Sequence, residues 1–230
     1  MFDAIAHRYD FLNWILSAGV DRRWRRRAVR SLALTGRERV LDLCTGTADL
    51  AIAARTARPS AARVVGVDFA AKMLHVGAEK LRRSTPDGSV VLVRGDATRT
   101  PIAGASVDAV TIAFGIRNVD DVAAACEEIQ RVLEPGGRLA ILEFGIPTVG
   151  GLRAAYLWYF KRILPSIGRL VSRHDAAYAY LPESVAVFSS PDEFVTILRQ
   201  HGFVEVTAVP LTFGIVFLYT GRKASPLKRS

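Results

Sequence analysis

Residues 39–50 read RVLDLCTGTADL, and this stretch decides the fold. Its first half is a short apolar run with one acid near its carboxyl end, the pattern of a buried strand. Its second half is a tight turn that opens a helix. In open parallel sheets such a turn faces a ligand held beyond the strand's carboxyl end. A turn made for a dinucleotide keeps several glycines, so that the backbone can approach two phosphates at the helix N-terminus. Here Gly46 remains, among Cys44, Thr45 and Thr47, while Asp42 and Asp49 add carboxylates that repel a pyrophosphate at close range. Those acids attract a cation instead. S-adenosylmethionine carries a sulfonium and an ammonium and no phosphate, so it suits this turn better than a dinucleotide does.

Outward from this stretch, short apolar runs alternate with segments of helical period. The pattern predicts strands at 39–44, 63–67, 90–94, 107–114 and 138–144, with helices near 49–57, 70–83 and 120–133. Two further strands are expected at 203–209 and 213–222. This is an α/β fold, a Rossmann-like and mostly parallel sheet of seven strands with helices on both faces. Asp49 and Asp120 read as acids at helix starts, and Pro135, Gly136 and Gly137 as the stop and turn before the fifth strand.

A chain of 230 residues, half of them apolar, can bury one sizeable core, so 1–230 reads as a single domain. Within it, 39–149 forms the cofactor-binding core and 191–224 a C-terminal helix and strands. Residues 1–38, with Phe2, Tyr9, Phe11, Trp14 and Trp24, carry more apolar surface than a free tail and are expected to form a helical lid. Residues 150–190 form an aromatic-rich helical insertion on the substrate side, with core packing as the plainer alternative. Cys44 and Cys126 lack any paired spacing for a disulfide framework or zinc site, which points to a reducing cytoplasm and to no metal. No charged-then-apolar leader opens the sequence, and charge interrupts every apolar run before the roughly 18 residues of a membrane span. The net charge of +9 favours partners that carry phosphate, either nucleic acid or anionic lipid headgroups. Six arginines crowd into DRRWRRRAVR at 21–30, a basic helix that is either a solvated face or a surface for membrane or RNA.

The later strands add acids where a nucleoside would lie. RVVGVD ends in Asp68, which can accept two hydrogen bonds from a ribose diol, or cap the helix that follows. Phe69 stands beside it. In VVLVRGDAT, Asp96 can accept from an adenine amino group while the Ala97 amide donates to the ring. The fourth strand ends AFGIRNVDD, without the Asn-Pro-Pro-Tyr motif that grips a planar amino group and without a cysteine nucleophile. Cys126 falls in an amphipathic helix as a small hydrophobe.

Several blocks together carry a family resemblance: FDAIAHRYDFLN from Phe2, DRRWRR from Asp21, VLDLCTGTADLA from Val40, VDFAAKML from Val67, GDAT from Gly95, TIAFGIRNV from Thr111 and LEPGGRLAILEF from Leu133, with YLPES and HGF later. On these the chain resembles the ubiquinone/menaquinone biosynthesis C-methyltransferases of the demethylmenaquinone type, which are class I S-adenosylmethionine-dependent enzymes. The resemblance implies methyl transfer to a ring carbon of a polyprenylated quinol, with Arg117 stabilising a phenolate, Asn118 orienting the hydroxyl or a water, and Tyr9 closing the site. It also implies Gly46 and Thr47 at the methionine portion of the cofactor, Asp68 at the ribose, Asp96 with Ala97 at the adenine, and Asp42 orienting the amino-acid end. Glu143 and His174 are candidates to touch substrate; the alternative for Glu143 is a pair with Arg138 or a lid arginine. Where the family often has a histidine near the last strand, this chain has Tyr219, and its first turn has fewer glycines than usual. A quinol tail anchored in the bilayer would explain the basic charge, so the expectation is a cytoplasmic protein, peripheral on an anionic membrane, without nucleic acid and with a homodimer left open. The same pocket would also serve a methyltransferase acting on RNA or another small molecule, or a silent scaffold.

Overall fold

Strand β1 (Arg39–Leu43) lies at the centre of the sheet, paired in parallel with β2 (Arg63–Asp68) on one side and β4 (Val107–Ala113) on the other. The structure is a computed structural model that describes residues 17, 19–147, 158, 184–185 and 187–225. With neighbours on both edges and helices on both faces, β1 has water on neither side, which is why it reads as an almost unbroken apolar run. Val40 faces one hydrophobic cluster, with Trp24, Leu50, Phe114 and Leu142, and Leu41 faces the other, with Ile112, Ile129, Phe194 and Tyr219.

β3 (Val90–Arg94), β5 (Leu133–Phe144), β6 (Phe203–Leu211) and β7 (Val216–Lys223) complete a seven-stranded sheet of order β3-β2-β1-β4-β5-β7-β6. β7 alone runs against its neighbours, antiparallel to both β5 and β6. The strand order reverses beside β1, and that crevice is where open α/β sheets bind ligands.

The helices whose bounds lie among the described residues are α1 (Asp21–Ser31), α2 (Asp49–Thr56), α3 (Ala71–Ser84), α4 (Val122–Val132) and α5 (Pro191–Gln200). α1 buries Trp24, Arg25, Ala28 and Val29 and leaves the other arginines of its basic run exposed. Trp24 meets Phe114 and Phe144 edge-on, and its Nε1–H donates to the Thr212 hydroxyl at 2.9 Å. One aromatic thus ties the segment before β1 to the chain just ahead of β7.

Several boundaries shift by one or two residues from the sequence expectation, and three element starts differ for an identifiable reason. β5 begins at Leu133 and not at Arg138, because Leu133 pairs with Val107 before an irregularity that carries Pro135 and Gly136. α4 starts two residues later than expected, and Asp121, not Asp120, is its cap, accepting from the Ala124 N–H at 2.9 Å. The last strand starts at Val216, because Thr212–Gly214 form a 3-10 turn with Phe213 at φ 59°. Most of residues 1–38 before α1, including Tyr9, and most of 150–190, including His174, lie outside the described residues.

Candidate active site

The turn after β1 winds through the left-handed region at alternate residues: Cys44 at φ 53°, Gly46 at 55° and Ala48 at 68°. Two of the three are not glycine, so this chain holds a glycine-like backbone at some strain. Gly46 is the position where a side chain would matter, since a Cβ there would meet nothing within 4 Å; that side of the turn is open to a ligand. Cys44 instead packs against Gly115, beyond β4, where a Cβ would fall 2.3 Å from the Cys44 Cβ.

Between the carboxyl ends of β1 and β4 and the residues after β2 and β3 lies a cavity of about 400 Å³, within the range of small-molecule sites. Asp68, Asp96, Asp120 and Asp121 line it, and no lysine, arginine or histidine among the described residues does. In a chain of net charge +9, that is a selective arrangement. It suits a cationic ligand and disfavours a pyrophosphate. Phe69, 60% exposed, stands at the rim, where its ring can cover a flat base.

Asp68 does not cap α3, whose N-cap is Ala70 and which has no side-chain cap hydrogen bond. One carboxylate oxygen accepts the Gly46 N–H at 2.8 Å and the other the Ala70 N–H at 2.9 Å, so it braces the turn and the approach to α3 while facing the cavity. A carboxylate oxygen accepts more than one hydrogen bond, so this is compatible with holding a ribose diol. Asp96 accepts from both the N–H and the hydroxyl of Thr98 at 2.8 Å, which hold its carboxyl below the usual range. Ala97 lines the cavity beside it.

Asp42 and Thr47 do not line this cavity. Together with Arg25, Gly46 and Asp49 they line a narrower pocket of about 20 Å³ on the other side of the turn. Asp42 is 1% exposed and accepts from the hydroxyls of Thr45 at 2.5 Å and Thr111 at 2.7 Å; burial pushes it up to about 6. The Thr47 hydroxyl accepts from Lys80 Nζ at 3.1 Å. Asp49 is paired with Lys80 and Arg25, so its charge is spent locally, and Asp120 and Asp121 are the unforeseen acids of the cavity. The DD after GIRNV was their signal, read in sequence as a helix start.

The FGIRNV block makes the far wall. Asn118 faces the cavity and donates from Nδ2 to the Phe114 carbonyl at 3.3 Å. Arg117 stands behind it, its side chain 7% exposed, with Nη1 2.6 Å from Glu143 and 2.7 Å from the Phe114 carbonyl and its guanidinium 5.3 Å over the Phe144 ring. Glu143 thus pairs with Arg117, while Arg138 pairs with Glu38 at 3.2 Å. Tyr219 lies inside the core edge-on to Phe194; burial raises its phenol pKa, and it does not reach the cavity.

The sheet with its reversed seventh strand and the acid-lined crevice define a class I methyltransferase. A methyltransferase solved in complex with the Trm112 activator from Haloferax volcanii shares this fold at a TM-score of 0.69 and 18% identity, over 97% of this chain and 98% of that one. The chain belongs to the ubiE/COQ5 methyltransferase family, whose model matches residues 1–223. It is 47% identical over 226 residues to the ubiquinone/menaquinone biosynthesis C-methyltransferase UbiE of Syntrophotalea carbinolica, covering 98% of this chain and 94% of the relative. It is 44% identical to the demethylmenaquinone methyltransferase of Thermus thermophilus, covering 96% and 99%.

Proposed function

We propose that this methyltransferase moves the methyl group of S-adenosylmethionine to a ring carbon of a polyprenylated quinol, demethylmenaquinol or the corresponding benzoquinol precursor of ubiquinone. The near full-length identity to relatives named for that chemistry carries the reading, and the acid-lined cavity ending at Asn118 supports it. The cofactor supplies an electrophilic methyl on sulfur. The chain's own acids, Asp68 and Asp96 in the large cavity and Asp42 in the narrow pocket, hold the ribose, the adenine and the amino-acid end, with Gly46 and Thr47 at the methionine portion, Ala97 at the adenine and Phe69 over the base.

A ring carbon is a weak nucleophile unless a neighbouring hydroxyl gives up its proton. Asn118 orients that hydroxyl from the cavity wall, and Arg117, kept in place by Glu143, favours the phenolate. Tyr9 closes the site over the substrate. Incubation with labelled S-adenosylmethionine and reduced demethylmenaquinol and benzoquinol analogues, with label followed into the ring by mass spectrometry, tests the proposal. Label in one of the two rings is expected; label in neither overturns it.

The isoprenoid tail implies work at a bilayer surface. α1 and α2 enclose a groove in which Arg22, Arg26, Arg30 and Arg58 stand over apolar Val29 and Leu34. Such a face suits anionic headgroups, and no helix among the described residues is long and apolar enough to cross a membrane.

A further inference from the structure

Of the six arginines in the basic run of α1, Arg25 is the one the fold buries, at 6% exposure. It pairs with Asp21 one turn earlier, stands 3.5 Å from Asp49, and lies 5.8 Å from the centroid of the Phe114 ring. Its Nε–H is buried and has no hydrogen-bond partner among the described residues. Burying a guanidinium is costly, and a buried donor without a partner calls for an explanation. A leucine would have filled the position without either.

What Arg25 faces identifies the absent group. It lines the narrow pocket with Asp42, Gly46, Thr47 and Asp49, and this pocket shares Cys44, Gly46 and Ala113 with the large cavity. The two spaces therefore adjoin at Gly46, so a ligand lying in the cavity can direct one end toward the narrow pocket. The charged residues that line the large cavity are all acids, whereas the narrow pocket sets one guanidinium beside the carboxylates of Asp42 and Asp49. A zwitterion matches that mixture: its ammonium toward Asp42, since Asp49 is already paired with Lys80 and Arg25, and its carboxylate toward the guanidinium.

We propose that Arg25 is a cofactor-binding residue whose guanidinium anchors the carboxylate of the amino-acid portion of S-adenosylmethionine. The inference rests on the cofactor reading above and adds a contact from the segment before β1, so that α1 reaches the ligand as well as packing on the sheet.

Calorimetry on the full chain tests it with two probes, S-adenosylhomocysteine and its decarboxylated analogue. In the wild type the decarboxylated ligand should bind about tenfold more weakly or worse, the value of one charge-assisted hydrogen bond. Arg25→Met should weaken S-adenosylhomocysteine by a similar factor and leave the decarboxylated analogue within about twofold, while Arg25→Lys should recover part of the loss. Equal losses for both ligands in Arg25→Met would show a prop for the turn and overturn the proposal, as would an unchanged affinity for S-adenosylhomocysteine. Should Arg25→Met fail to fold, the wild-type comparison decides alone, and equal affinities for the two probes refute the contact. A wild type that binds neither probe removes the cofactor reading itself, and Arg25's role with it.

Discussion

Asp42 is held away from water with both oxygens engaged by threonine hydroxyls, and burial raises it from 3.8 to about 6. Ionising it therefore costs more in the folded chain than in the unfolded one. Its contribution to stability is full below about pH 4 and is lost as pH rises through about 6, a change of about 3 kcal/mol. Asp42→Asn should flatten that decline, which urea denaturation at several pH values from 4 to 7 would reveal. Glu38 runs the other way: burial raises it, but donors from Thr35 and the Arg138 guanidinium outweigh that and bring it to about 2, so its stabilisation is lost as pH falls from about 4.5 toward 2. Gly115 makes a second test at this scale. Gly115→Ala would drive a methyl into Cys44 and should cost about 1–3 kcal/mol, and adding Cys44→Gly should restore most of it. Asp68 and Asp96 could be picked out as cavity acids in sequence because one closes a strand and the other follows the end of the next. The closure of Gly115 on Cys44 was not, since it joins two turns that only the finished sheet brings together.

Among elements, the Arg117–Glu143 pair fastens the short 3-10 turn Ile116–Asn118 to the end of β5. Glu143 has no exposed surface, so Arg117→Met would leave a buried charge alone and should destabilise by about 3–5 kcal/mol. A lost activity in that variant must therefore be read beside its stability. Arg117→Met with Glu143→Leu should regain most of the fold, and activity that stays absent in the refolded double variant would assign the loss to chemistry. The strands of the parallel half were readable because burial on both faces makes each an apolar run. The starts of β5 and β7 were misplaced for a different reason: a proline and glycines signal a break in local conformation, whereas pairing of Leu133 with Val107 is decided by a neighbouring strand. The N-cap of α4 shifted from Asp120 to Asp121 because two adjacent acids carry equal local preference, and only the helix's packing selects between them.

For the whole molecule, charge is sorted by place. The basic residues of α1 point outward, Arg25 excepted, while the cavity at the strand ends collects acids. Composition disclosed the excess of positive charge but not this separation, which depends on the rotation of α1 about Trp24 and Val29 and on strand ends far apart in sequence. If the groove between α1 and α2 meets the bilayer, Arg22→Glu with Arg26→Glu and Arg30→Glu should abolish flotation with anionic liposomes at low salt and leave cofactor binding intact. Wild-type protein that stays at the bottom of the gradient with such liposomes would remove the membrane contact from the account.

The thiol of Cys44 borders the cavity proposed for a methyl donor, and a thiolate there would be alkylated by the very molecule the pocket retains. Burial, with Asp68 and Asp42 nearby, drives its ionisation far above neutral pH. A thiol held in this neutral form would not be alkylated by a methyl donor bound beside it.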